Sequence, residues 1–198
     1  MAWIKGNRYL NEEEKQNNAT ETYNYLIKKG WSLEAICGML GNMERESTIN
    51  PGIWQNLDEG NMSVGFGLVQ WTPASNYIKT GNVSWTSFDV TDGDGQLLWI
   101  DKYTVSTGQW ITTADYPMEF VDFKVSKETP DYLAAVFCMN FERAGVVALE
   151  ERKQYALKWY EFLGGKLPEE DYDDEDGYTT SQRHGFKFHL FRKRGLKI

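Results

Sequence analysis

The sequence has few of the residues on which metal, redox or histidine-assisted nucleophile chemistry is usually built. Its two histidines, His184 and His189, both lie near the end of the 198-residue chain. A zinc hydrolase or a histidine-based triad in the main part of the chain is therefore disfavoured, because each needs imidazole at the reacting centre. Cysteine is as scarce. Cys37 and Cys138 each sit in an apolar, helix-like stretch and read as small core residues, not as a disulfide or metal pair. No apolar run approaches the length of a membrane-spanning helix. The amino-terminal Met1-Ala-Trp-Ile-Lys-Gly-Asn lacks an apolar secretory core, so no signal peptide is expected. Positive charge is in deficit too: 21 Lys+Arg against 29 Asp+Glu leave a net charge of −8. That disfavours non-specific nucleic-acid binding, which needs a basic footprint. The expectation is an activity with no metal, no organic cofactor, no nucleic acid and no membrane.

What the chain does have is aromatic side chains, at 15% of residues, within a hydrophobic content of 41%. Disorder is excluded for most of the length. Flat rings fill cores, and they also stack on the apolar faces of sugars. Composition alone does not choose between these uses.

The pattern along the chain is mainly α, with a small β element (α+β). Asn11 followed three places later by Glu14 opens a first helix as a capping box, and Gly30 closes it. Ser32 caps a second helix carrying Leu33, Ile36, Cys37, Leu40 and Met43 at helical spacing. From Pro51 to Trp71, Gly52, Gly60, Gly65 and Gly67 with Asn56, Asp58 and Asn61 mark turns and short extended pieces, read as a small β-hairpin inserted after the second helix. Further helices are expected at Pro73–Lys79, Gln96–Tyr103, Met118–Lys124, Asp131–Phe141 and Leu149–Leu163.

Composition breaks after Gly165, which sets a domain at 1–165 and a separate segment at 166–198. Glu169–Asp176 is almost entirely acidic, and His184–Lys197 is basic with interleaved Phe186, Phe188, Leu190 and Phe191. The acidic run resembles half a calcium loop, but Asp176 stands where glycine is needed and no distal Glu follows. It reads as a solvated linker to a segment that docks on a partner or on its own domain.

The stretch with chemical content is Gly38-Met-Leu-Gly-Asn-Met-Glu44-Arg45-Glu46-Ser47-Thr-Ile-Asn-Pro51. It places carboxylates at the end of a buried helix, just before a glycine-rich turn region. Glycoside hydrolysis needs a half-buried carboxyl whose proton is held by desolvation, facing a wall whose backbone lets sugars approach. Helix periodicity does not select between the two glutamates. Glu46 falls roughly 100° from the centre of the apolar stripe and Glu44 roughly 60°, while Arg45 points toward solvent.

This run, followed by Gly65-Phe66-Gly67-Leu68-Val69-Gln70-Trp71-Thr72, resembles the phage tail lysozyme family, in particular tail-knob lysozymes of small podoviruses infecting Gram-positive bacteria. The wider lysozyme and lytic transglycosylase superfamily has a similar Glu-Ser helix end followed by a Gly-Leu-x-Gln segment. The resemblance implies a lysozyme-like helical fold with a hairpin beside the cleft. It implies that Glu46, directly before Ser47, is the catalytic acid, and that Glu44 is an ordinary surface or capping charge. It extends through Gln96-Leu97, Phe141-Glu142-Arg143, Glu151-Arg152 and Ala156-x-x-x-Tyr160, covering about residues 10–163. One departure is Ala144-Gly145, where the family often has proline.

Asp58, Glu59 and Glu142 are candidates for a second catalytic carboxylate, each with a structural alternative as a turn residue or ion-pair partner. Gln70 is a candidate for binding an N-acetyl group or water, and Ser47 for supporting the helix end or orienting Glu46. Trp54, Phe66, Gly67, Trp71 and Tyr77 are candidates for the cleft wall. The function implied is a muramidase that cuts the glycan strands of peptidoglycan between N-acetylmuramic acid and N-acetylglucosamine. Delivery on a phage tail would reach the outside of the host wall without a secretory signal, with 166–198 docking on other tail proteins. A lytic transglycosylase, a soluble endolysin and a non-catalytic wall-binding protein are the alternatives.

Overall fold

The computed structural model describes residues 2–78, 89–143 and 148–166, together with the backbone of 170–173 and 179–182. The chain divides into two units, Met1–Gly165 and Lys166–Ile198. In the first, the helices are α1 (Glu12–Ile27), α2 (Leu33–Ser47), α3 (Ser75–Ile78), α4 (Gly93–Tyr103), α5 (Phe120–Val125), α6 (Pro130–Phe137) and α7 (Leu149–Phe162).

Local chemistry accounts for where they start. Asn11 Oδ1 accepts from Glu14 N at 3.0 Å while Glu14 Oε2 accepts from Asn11 N at 2.9 Å, the reciprocal capping expected from the sequence. Ser32 Oγ accepts from Ala35 N at 3.1 Å and opens α2. Pro130 begins α6, where its missing N–H costs nothing.

Helix α2 is the axis of the core. Ile36, Cys37, Met39, Leu40 and Met43 are fully buried on it, and each of the larger side chains contributes about 1.5–3 kcal/mol by leaving water. Two glycines let its neighbours come close. A Cβ on Gly38 would lie 2.8 Å from the Leu133 backbone of α6, and one on Gly41 would lie 2.3 Å from the Arg152 carbonyl oxygen of α7. Asn42 binds the layers together, with Nδ2 donating to Gly38 O at 2.9 Å and to Ala134 O at 3.0 Å.

Two expectations are corrected. The segment after α2 does not form a regular β-hairpin. It holds a 3-10 turn at Gln55–Leu57 and two isolated bridges, Trp54 to Phe66 and Phe66 to Trp71. Positive φ at Asn56, Leu57, Gly60, Gly67 and Gln70 repeatedly turns the chain out of the extended conformation that a ladder needs. The helix expected to reach Phe141 also changes character. After Phe137 the chain widens into a π-helical turn, Cys138–Glu142, closed by Arg143 N donating to Cys138 O at 2.9 Å. Such turns admit an extra residue and are frequent at functional sites.

In the second unit, β1 (Glu170–Asp173) pairs antiparallel with β2 (Thr179–Gln182), with Glu170 opposite Gln182. The acidic run, read as a linker, thus contributes a strand. The basic segment His184–Lys197, the loop containing Ala144-Gly145, and Lys79 at the end of one expected helix lie outside the described residues. No helix among the described residues is long and apolar enough to cross a membrane.

Candidate active site

The last turn of α2, the π-helical turn and α7 converge on a cleft of about 570 Å³. Glu46 enters it from α2, Glu142 from the π turn and Arg152 from α7, while Val69, Gln70, Trp71, Thr72 and Asn76 form the facing wall.

Glu46 is half-buried, with 22% of its side chain exposed, and its Oε1 accepts from Arg152 Nη2 at 2.5 Å. Arg152 is buried, and its Nη1 donates to Asn42 Oδ1 at 3.1 Å. Asn42 is thus fixed by α6 on one side and orients the guanidinium on the other. Burial works against the arginine's charge, but the hydrogen bond and charge of Glu46 outweigh it and raise its pKa further. Glu46 therefore faces a permanent cation rather than a purely apolar wall.

Glu142 has the opposite environment. Its Oε1 is shielded from solvent and has no hydrogen-bond partner. Burial, and next the negative charge of Glu46, push its carboxyl well above the usual carboxylate range, against weaker opposing pulls from Arg152 and Arg143. A neighbouring negative charge and loss of solvent both favour the neutral form of Glu142. Cys138, at the start of the same turn, is held near pKa 11, chiefly by burial, so its thiol is protonated and inert at neutral pH.

The other charges around the helix end have partners of their own. Glu44 is buried, and its carboxylate is paired by Lys15 at 2.6 Å and Lys158 at 2.8 Å. It is an interior ion-pair hub, not the surface or capping charge expected, and it is absent from the cleft lining. Arg45 is exposed and pairs with Glu151 at 2.9 Å, and it also lines the rim of the cleft.

Of the other residues singled out in the sequence, Gln70 and Trp71 line the cleft. Gln70 has φ +47°, and its Nε2 donates to Gly67 O at 3.0 Å and Ile53 O at 3.3 Å. Its amide is thus anchored to the loop at its nitrogen. Ser47 is buried behind the cleft, with Oγ donating to Met43 O at 2.9 Å and Leu68 O at 2.8 Å. It ties the helix end to the following loop. Gly67 (φ +78°) has no room for a Cβ, which would lie 2.6 Å from Gln96 Oε1. Gln96 holds that loop by accepting from Leu68 N at 2.8 Å and donating to Pro51 O at 2.7 Å. Trp54, Phe66 and Tyr77 belong to a buried aromatic stack behind Trp71, whose ring lies 4.5 Å from that of Tyr77. Asp58 and Glu59 are exposed on the turn beyond, where Asp58 Oδ2 accepts from Asn61 Nδ2 at 2.7 Å. Neither is among the residues lining this cleft.

Sequence reasoning assigned no role to Arg152, Arg143, Gln55, Asn76 or Gln109, all of which line the cleft. Arg152 did leave a signal. It falls at core spacing with Ala156 and Trp159, the other buried residues of α7. A charged residue on an apolar face needs a buried partner. The amides gave no such signal, because they reach the cleft from irregular segments far apart in sequence.

Among the described residues no cluster of His, Cys, Asp and Glu is arranged to hold a metal ion. The cleft offers two carboxyls in unlike environments, cations beside them and several side-chain amides. That inventory suits acid–base chemistry on a polyhydroxylated, amide-bearing substrate.

Comparison with known proteins agrees with this chemistry. A family model described as phage tail lysozyme matches residues 17–163. The chain is also 44% identical over 162 residues, 81% of its length, to Morphogenesis protein 1 of Bacillus phage B103. The match spans 43% of that relative, so the chain covers less than half of it.

Proposed function

The chain belongs to the phage tail lysozyme family, and on that premise we propose that it is a peptidoglycan muramidase. It hydrolyses the bond from N-acetylmuramic acid to N-acetylglucosamine and acts from the virion, on a phage tail, to open the host wall. The observation that carries this reading is the meeting of Glu46, Glu142 and Arg152 in one amide-lined cleft. Most glycosidases pair a carboxyl that gives a proton with a second carboxylate, and opposite environments are how a protein separates such roles. Gln55, Gln70, Asn76 and Gln109 add amides suited to N-acetyl and hydroxyl groups of a glycan. The name of the phage relative supports a virion role. The segment 166–198 is assigned to docking on other tail components.

The test is digestion of purified peptidoglycan by the full chain, with the products read by mass spectrometry. Hydrolysis gives fragments with a reducing muramic acid end, one water heavier than the anhydro products of a transglycosylase. Glu46→Gln is expected to lower the rate by roughly 100- to 10,000-fold. An undiminished rate in that variant, or anhydro products, would overturn the reading. Antibody against the chain should label the tails of purified virions, and labelling confined to lysate would remove the tail assignment.

A further inference from the structure

We infer that Arg143 reads the charge of the substrate: its guanidinium receives a carboxylate carried by the muramoyl sugar, so the cleft tells an acid-bearing glycan from a neutral one. The inference rests on the glycosidase reading and deepens it, by naming the residue that sets which glycan fits.

The balance of charge in the cleft comes first. Its lining holds Arg45, Arg143 and Arg152 against Glu46 and Glu142. The chain as a whole carries a net charge of −8, so cations gathered here run against its general balance. Two of these arginines are matched: Arg152 meets Glu46 at 2.5 Å, and Arg45 meets Glu151 at 2.9 Å. Arg143 makes no ion pair among the described residues. The carboxyl of Glu142, on which it does pull, is pushed toward its neutral form chiefly by burial and so returns little negative charge.

Arg143 is nevertheless held in place. It ends the π-helical turn in the left-handed conformation, with φ +48°, and its side chain is exposed. Its Nη1 donates to the backbone carbonyls of Gln109 and, at 3.1 Å, of Asn140. Both acceptors are neutral, so they orient the guanidinium without cancelling its charge. Nε and Nη2 have no acceptor among the described residues. They form the side-on edge of the fork, which grips a carboxylate through parallel hydrogen bonds. A cation ordered before the ligand arrives loses little rotamer freedom on binding it.

The ligand follows from what the rest of the cleft can read. Gln55, Gln70, Asn76 and Gln109 line it as well, and their amides suit N-acetyl and hydroxyl groups. Both sugars of peptidoglycan carry those groups, so amides alone do not separate them. A carboxylate does. The muramoyl sugar bears one on its lactyl ether, or bears a peptide there that brings carboxylates of its own. N-acetylglucosamine has neither.

The experiment is a nuclear magnetic resonance titration of the full-length protein with N-acetylglucosamine, N-acetylmuramic acid and a peptide-bearing N-acetylmuramic acid. At least one of the two acids should bind roughly 10-fold more tightly than N-acetylglucosamine, the worth of one charge-assisted hydrogen bond. An advantage for N-acetylmuramic acid itself names the lactyl carboxylate. An advantage confined to the peptide-bearing form names the peptide. Methyl esterification of the favoured ligand should remove its advantage, and so should Arg143→Gln. If that variant does not fold, the Arg143 Nε–H signal of the wild type decides, by shifting with the acid and staying still with the ester. The inference falls if neither acid outbinds N-acetylglucosamine, a lack of all binding included. It falls too if the advantage survives esterification or survives Arg143→Gln. These monosaccharides offer no bond between sugars to cut, so a chain that digests peptidoglycan without this preference keeps the glycosidase reading and loses only the inference.

Discussion

Arg152 and Glu46 stand 106 residues apart in sequence, yet Nη2 of one and Oε1 of the other meet at 2.5 Å in the cleft. The pair joins α7 to the last turn of α2, and the arginine is the more deeply buried partner. Replacing Arg152 with alanine leaves Glu46 and Glu142 facing each other without that shared cation. Losing a hydrogen bond to a charged, half-buried group costs about 1.5–3 kcal/mol, and misplacing a catalytic carboxyl by about 1 Å costs on the order of 100-fold in rate. Urea unfolding and peptidoglycan turnover on the same preparation should show both losses. A variant with wild-type stability and turnover would show that the pair is incidental.

Glu142 predicts a stability effect of opposite sign. Its carboxyl is raised in the folded state, so folding favours the protonated form. The associated stability is fully present below the unfolded pKa and is lost as pH rises through the folded one. Glutamine has no proton to lose. Glu142→Gln should therefore melt close to wild type at about pH 4 and above it at about pH 8, with the difference growing between. Activity should fall in the same variant. A melting difference that is constant with pH would contradict the raised carboxyl.

Much of this arrangement could be read in advance, and the part that could not has a physical reason. The capping box at Asn11, the Ser32 cap and the apolar spacing of α2 are local signals, and the structure follows them. The helical wheel correctly placed Glu44 deeper than Glu46, but it carried no information about Lys15 and Lys158, which make Glu44 an ion-pair hub. The hairpin failed because glycine and asparagine signal turns without saying whether the pieces between them are long enough to pair. Glu142 was visible as a carboxylate in the sequence. Its desolvation was not, since it depends on a π-helical turn that no spacing rule announces.

Asp101 gives a prediction away from the cleft. Its carboxylate accepts from Trp31 Nε1 at 2.9 Å and Lys124 Nζ at 3.0 Å, joining α4 to the start of α2 and to α5. Burial pushes this carboxyl up, but the Trp31 hydrogen bond and the Lys124 charge outweigh burial and leave it below its usual value. A lowered carboxylate contributes stability above the unfolded pKa of about 3.9, and that stability is lost as pH falls through the folded value. Asp101→Asn should destabilise by about 2 kcal/mol near neutral pH and flatten the acid limb of the stability curve. An unchanged acid limb would remove Asp101 as its source.

Gly41 links packing to the cleft. A Cβ there would stand 2.3 Å from the Arg152 carbonyl oxygen and 2.9 Å from Ala156 N, both backbone atoms of α7. Neither can rotate aside, so Gly41→Ala must push α7 away from α2. Overpacking of this kind costs about 1–3 kcal/mol, and here the displaced helix carries the partner of Glu46. Turnover should fall by more than the loss of folded protein explains, as measured at a temperature where the variant is fully folded. Normal turnover in a destabilised variant would mean that α7 shifts without moving the guanidinium.

Asp58 carries the converse expectation. The sequence offers it as a second carboxylate because it lies in the turn region after Glu46, and most glycosidases use a pair of carboxyls. In the structure it is exposed, occupied with Asn61 at 2.7 Å, and outside the residues lining the cleft. An exposed carboxylate beyond the cleft wall meets neither the anomeric carbon nor its attacking water unless the loop moves. Asp58→Asn keeps the side-chain shape and should leave stability within about 0.5 kcal/mol and turnover within about twofold, under 0.5 kcal/mol of barrier. A loss of 100-fold or more would mean that the turn folds inward on substrate, and would make Asp58 the second catalytic carboxylate.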